Sequence, residues 1–212
     1  EPLSCTVMPD LIVAYHRRHP DIEVRFEDVP IEQVLAGLEH GGIDVGFGPA
    51  GVIEDESIEA HLLWPDPMGV ALCAGDPLSG ADAVSWKDLR DRPLINYMPN
   101  FATHVLSHVP PRNHPRRIVP VHRVNTALSM LSVGSGAVVC PAVAQRLVKG
   151  FGLEFVPLKQ PQVHWKVAAF VRHRPSISPA VESFVRFTLE FARGWAAMDA
   201  HAGRAQAPAH RG

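Results

Sequence analysis

Residues 22–26 (IEVRF) alternate apolar and charged side chains, the two-residue period of a half-buried strand. Just beyond them, Ile31, Val34, Leu35 and Leu38 fall at i, i+3, i+4 and i+7, one apolar stripe of a helix. Pro30 sits where a first-turn proline is tolerated, and Gly41-Gly42 stop the helix. Residues 43–47 (IDVGF) alternate again. Strand, helix and strand in that order predict a right-handed βαβ unit with parallel strands.

The rhythm repeats downstream. Strands are expected over 68–74, 94–97, 118–121 and 137–140, and helices over 85–90, 101–109, 125–133 and 142–149. Two further strands, 153–158 and 166–173, precede an amphipathic helix over 179–193 with Val181, Phe184, Val185 and Leu189 facing inward. From Trp195 onward Ala, Gly, His and Arg dominate, so 195–212 are expected to form a flexible tail. Such alternation predicts an α/β fold whose parallel sheet is covered on both faces. Proline-marked crossings at 63–67 (LWPDP) and 160–164 (QPQVH) divide the pattern into two lobes, 1–67 with 168–194, and 68–167. Paired lobes of this kind hold small ligands at the carboxyl ends of their strands.

Composition changes this picture mainly by exclusion. The 212 residues are 46% hydrophobic and 20% charged, enough to build a core without disulfides or metals. A net charge of −2 with no long basic run is not a nucleic-acid surface. Cys5, Cys73 and Cys140 are isolated and odd in number, which fits a reduced, cytoplasmic chain. No apolar stretch of about 18 residues is present to cross a membrane.

Catalytic and metal motifs are weak. There is no Gly-x-Ser-x-Gly elbow. Gly134-Ser135-Gly136 lacks the Gly-Lys-Ser/Thr ending of a phosphate loop and reads as a helix terminator. His104 and His108 have zinc spacing, as His16 and His19 nearly do, but two ligands make no site, and Val105 stands where a metalloprotease has its base. Cys5 lies near a helix start that would favour its thiolate, without a nearby resolving cysteine. More informative are four helix starts: Ser4-Cys5-Thr6, Val29-Pro30-Ile31, Pro99-Asn100-Phe101 and Val124-Asn125-Thr126. Each offers backbone N–H groups and the positive end of a helix dipole to a carboxylate, although every helix needs such a start. Asn100 adds an amide donor and Phe101 an apolar wall.

Read together, these features resemble the effector-binding domain of LysR-type transcriptional regulators, over residues 2–192. The segments that carry the resemblance are TVMPDLIVAYHRRHP, GGIDVGFG, DPLSG, WKDLRDRPLI, SVGSGAVVCP and FVPLKQP. NYMPNFATHVL is similar to the branch that controls aromatic-acid degradation, the benzoate-, muconate- and chlorocatechol-responsive activators, whose Pro-(Asn/Ser)-Phe segment lines the effector cleft.

The resemblance implies two Rossmann-like lobes around a central cleft, as in type 2 periplasmic binding proteins. It also implies an effector-binding set of Leu3, Ser4, Thr6, Pro30, Ile31, Phe47, Gly48, Pro99, Asn100, Phe101, Asn125 and Thr126. No catalytic residue, metal or cofactor belongs to that set. Partners are a small carboxylate, either an aromatic acid or a ring-cleavage product, and further copies of the chain in a dimer or tetramer. Helix 31–40 is expected to contribute to that pairing. DNA is expected to be met only through a winged helix-turn-helix that this chain lacks, as it lacks the sheet strand expected before Glu1. Pro49 and Ile31 stand where some aromatic-acid relatives carry Arg and Thr, which favours a more apolar monocarboxylate than muconate. Two rivals share the fold: a free-standing, exported solute-binding protein, and an enzyme such as a dehydratase or deaminase, which would need cleft acids, bases or arginines.

Overall fold

The computed structural model describes residues 2–52, 55–98, 100–173 and 178–202. In chain order the elements are α1 (Pro2–Arg18), α2 (Ile31–His40), β1 (Val45–Pro49), β2 (Ile58–Cys73), β3 (Val84–Ser85), α3 (Trp86–Leu89), β4 (Pro93–Asn96), α4 (Phe101–His104) and β5 (Arg117–Pro120). They continue with α5 (Val124–Ser132), β6 (Val138–Pro141), α6 (Gln145–Gly150), β7 (Leu153–Lys159), β8 (His164–Arg172) and α7 (Pro179–Ala202). The chain forms two compact units. One contains α1 as far as Pro9 together with Pro65–Trp165, and the other contains Asp10–Trp64 together with the chain from Lys166.

In the first unit β2 is central. Its second half pairs antiparallel with β6 on one side (Gly69↔Cys140) and with β7 on the other (Gly69↔Pro157), and β7 pairs parallel with β3. β4 and β5 are parallel (Leu94↔Ile118), and Ala137, just before β6, bonds to both flanks of Leu94: Ile95 N–H to Ala137 O at 2.8 Å and Ala137 N–H to Pro93 O at 3.0 Å. Successive strand residues alternate between two cores. Met68, Val70, Leu72, Leu94 and Val139 face Trp86, Leu89 and Phe101, while Ala71, Ile95, Val138 and Cys140 face Leu128, Leu131 and Val148. The sheet is covered on both faces as the alternation implies, but it is mixed rather than parallel, because β2 runs antiparallel to both β6 and β7.

The second unit pairs β1 antiparallel with β8 (Phe47↔Ala169). α2 packs on one face through Val34 and Leu38 against Phe170 and Ala168. It can approach so closely because β1 presents glycine to it: a Cβ on Gly46 would stand 2.4 Å from a Val34 methyl, and one on Gly48 2.8 Å from Ile31 Cδ1. An aromatic cluster occupies another part of the unit. Tyr15 meets Phe184 and Phe187 edge-on, Phe47 meets Phe184, and the Arg18 guanidinium lies over Phe187.

Several expectations need correction. Residues 22–26 do not form a strand, although Ile22 and Val24 are half-buried between exposed neighbours. A strand exists only by pairing, and no described strand lies beside them, so the alternation survives without the ladder. Parallel pairing across α2 is therefore absent among the described residues, and β1 starts two residues later than expected, at Val45. The helix expected over 101–109 divides into four-residue α4 and a 3-10 turn at Leu106–His108, ahead of Pro110-Pro111. Helix 142–149 opens instead as a 3-10 turn, Ala142–Ala144. β2 begins ten residues before the expected start and runs through Pro65 and Pro67. Prolines two apart lack donors on one strand edge only, and Met68 N–H still bonds Val163 O at 2.8 Å. Finally, α7 continues to Ala202 because AAMDAHA is rich in strong helix formers, and Trp195 stacks on Phe191. Residues 203–212 lie outside the described residues.

Candidate functional site

Within the first unit the parallel strands β4 and β5 end together, with Asn96 opposite Pro120 and Val121 N–H bonded to Asn96 O at 2.9 Å. Their carboxyl ends lead into α4 and α5, so Asn100, Asn125 and Thr126 belong to one edge of the sheet, where open α/β sheets take their ligands. All three are exposed. Asn100 is left-handed (φ 54), a conformation asparagine tolerates, and its side chain makes no capping bond. Its carbonyl instead accepts from His104 N–H at 2.9 Å. Phe101 is 4% exposed, and its ring is part of the core beside Leu94 and Val105. The expected apolar wall is thus largely committed to fixing where α4 starts. Pro99 lies outside the described residues.

Leu3, Ser4 and Thr6 lie inside the first two turns of α1 rather than opening it, since the helix already runs at Pro2. Leu3 and Thr6 are buried, and the Thr6 hydroxyl donates to Pro2 O at 2.6 Å. Pro30, Ile31, Phe47 and Gly48 belong to the second unit. Pro30 caps α2 with φ −55, and its carbonyl accepts from Gln33 and Val34 N–H. Ile31 and Phe47 are half-buried, and Gly48 is buried beneath Ile31. Asn125 and Thr126 follow Val124, which opens α5 behind an extended Arg123.

Three side chains that shape these elements escape sequence reasoning. Asn96 folds the 97–98 segment back on itself: its side-chain N–H donates to Met98 O at 3.0 Å, and its side-chain oxygen accepts from Met98 N–H at 3.2 Å. Asp66, 1% exposed, accepts Val143 N–H at 3.1 Å in the turn before α6. Arg146 Nη2 donates to Thr6 O at 2.8 Å. The polarity of Asn96 at a strand end was a usable signal for a turn, whereas the latter two bonds join residues 77 and 140 positions apart.

Other sequence candidates resolve differently. His104 and His108 are separated by the break at Val105, and no group of three metal-ligating side chains occurs among the described residues. Gly134 does end α5: at φ 89 its N–H bonds Leu131 O at 2.8 Å. Gly136 (φ 124) serves the sheet, where a Cβ would stand 2.2 Å from Pro93 O. Cys5 is exposed and Cys140 buried, with burial and the Asp66 charge pushing the Cys140 thiol far up. Cys73 is half-buried and donates to Leu131 O. A groove of about 310 Å³ in the second unit, floored by Val171, Val185 and Leu189 and rimmed by charged side chains of β2 and α7, contains none of the twelve candidates. No described helix is long and apolar enough to cross a membrane.

The family model of the LysR substrate binding domain matches residues 1–193. The chain belongs to this family. It is 30% identical over 174 residues to the HTH-type transcriptional regulator BenM of Acinetobacter baylyi, covering 79% of this chain and 57% of that protein. It thus spans little more than half the length of that relative. The structure of the BenM effector binding domain with its effector benzoate superposes with TM-score 0.79 at 27% identity, covering 92% of this chain and 89% of that one. The effector binding domain of QuiR in complex with shikimate gives TM-score 0.77 at 18% identity over 92% and 94%, a likeness of fold. The periplasmic-binding-protein-like α/β class follows from the family, whose members are regulators rather than enzymes.

Proposed function

We propose that this chain is the effector-sensing part of a LysR-type transcriptional regulator, and that it binds a small aromatic monocarboxylate. The observation that carries this reading is the match over 92% of the chain to a BenM domain holding benzoate. Supporting it, Asn100, Asn125 and Thr126 present exposed polar side chains at the carboxyl edge of β4 and β5. Ile31, packed over Gly48, offers a methyl surface and no hydroxyl, which favours benzoate-like acids over a dicarboxylate. The lobes are taken as 1–67 with 168–194, and 68–167. The protein would act in the cytoplasm as a homo-oligomer, with α2 in the pairing surface, and would meet DNA through sequence outside the matched part of BenM. Effector binding would shift the balance between conformations by its differential affinity for them. The relatives being regulators, the free-standing solute-binding protein and the enzyme have no support of their own.

A thermal-shift screen with benzoate, salicylate, cis,cis-muconate and unrelated amino acids tests this. Ligand at about 100 times Kd adds about 2.7 kcal/mol, a rise of roughly 5–10 °C for a domain of this size. Benzoate or salicylate should give that rise, and Asn100→Ala and Asn125→Ala should remove most of it. A rise with amino acids and none with any aromatic acid would overturn the reading.

A further inference from the structure

α1 carries a proline in its interior, Pro9, at the residue where the first unit ends. Proline gives no N–H to the carbonyl four residues back, and its ring crowds that carbonyl, so the helical ladder is weakest over the turn preceding it. That turn holds Thr6. Its carbonyl is the one to which Arg146, on α6, donates at 2.8 Å. α6 is itself anchored: the buried carboxylate of Asp66 accepts the N–H of Val143 in the turn leading into it, and Val148 is fully buried beneath it. A continuous support therefore runs from Asp66 through the 142–144 turn and α6 to Arg146, and ends on the backbone of α1 where the proline has weakened it.

We infer that Arg146 is a positioning residue: it holds the first two turns of α1, and with them Leu3, Ser4 and Thr6, against α6. The consequence for ligand affinity rests on the effector-sensing reading above; the support itself does not. Guanidinium chemistry suits the task. Its donors are fixed in a plane, so one of them can be aimed at a single carbonyl oxygen. None of the twelve candidates is basic, and Arg146 is joined to one of them, Thr6, through its backbone.

The test uses the full chain with Arg146→Ala and Arg146→Lys, with Arg92→Gln as a control that breaks an ion pair elsewhere in the same unit. Two quantities are read: amide hydrogen exchange at residues 6–8 and 10–12, and benzoate affinity by calorimetry. Arg146→Ala should speed exchange there at least tenfold, with the amides of β2 and β6 unchanged, and weaken benzoate about tenfold. Arg146→Lys should recover most of both losses, while Arg92→Gln should lower the melting temperature and leave both readouts near wild type. Wild-type exchange at 6–12 in Arg146→Ala would overturn the support. Faster exchange with unchanged benzoate affinity would overturn its role in binding. If the wild-type chain binds no aromatic acid, the effector reading fails, and the exchange measurement still decides whether Arg146 holds α1.

Discussion

At the scale of single residues, close approach explains more than chemistry does. Gly46 lies under Val34, with 2.4 Å between its virtual Cβ and a valine methyl. Gly46→Ala should therefore cost about 1–3 kcal/mol by overpacking, and Gly46→Ala with Val34→Ala should recover part of that, since the second change vacates the space the first one fills. Urea midpoints of the two single variants and the double one check the coupling; strictly additive losses would refute it. Ile31 makes a different kind of prediction. Its methyls cover Gly48, and if the effector lies against it, Ile31→Thr supplies a hydroxyl to a second carboxylate. The ratio of muconate to benzoate affinity should rise several-fold, about 1 kcal/mol for one hydrogen bond, as read by parallel titrations.

At the scale of elements, local signals succeeded where the element is defined by its own residues. Ser85 and Asp88 form the capping box that starts α3, with Ser85 N–H to Asp88 at 2.9 Å and Ser85 Oγ to the same oxygen at 2.6 Å. Ser85→Ala should cost about 1 kcal/mol, measurable as a shift of roughly 2–4 °C in melting temperature. Leu94-Ile95 read as a buried strand and are one, each residue feeding a different core. Signals failed where pairing or a neighbour decides. Residues 22–26 have the right alternation and no described strand to bond. Phe101 read as an apolar wall for a ligand because it stands at a helix start after a strand, and the fold packs Val105, Leu106 and Leu94 into the same core. α7 outran its expected end because an alanine-rich segment that looks featureless in composition is favourable as helix. The large aromatic face of that helix was only half visible: Phe184 was placed inward, but Phe187, 7% exposed between Tyr15 and Arg18, was not. Phe187→Ala should be among the most damaging single changes in the second unit, about 3–5 kcal/mol, and equilibrium unfolding would show it.

At the scale of the whole molecule, the α/β class was legible because it depends on alternation over long stretches, which no single misjudged element can undo. The candidate site was legible in part, since helix starts at strand ends follow from local pattern, while the supports behind them, Asp66 and Arg146, are joined only by the fold. The same distinction governs stability against acid. Asp76 accepts from Leu78 N–H at 2.9 Å and is paired with Arg92, across 16 residues of chain, and the hydrogen bond from Arg92 holds its carboxyl below the ordinary value of 3.8. Asp88 is lowered likewise by its bonds from Ser85. A carboxylate whose folded pKa lies below its unfolded one binds fewer protons in the native state near that range, so it stabilises the fold fully above the unfolded pKa. That contribution fades as pH falls through the folded pKa. Asp76→Asn should therefore lower stability by about 1.5–3 kcal/mol at neutral pH, the worth of hydrogen bonds to a charged group. The gap between wild type and variant should stay constant from pH 7 to about 5 and close progressively below the ordinary carboxylate range. Urea unfolding at half-unit steps from pH 7 to pH 3 measures it. A gap that persists unchanged at the acid end would mean that Asp76 acts through its shape and its bond to Leu78, and that the Arg92 pair contributes nothing through charge.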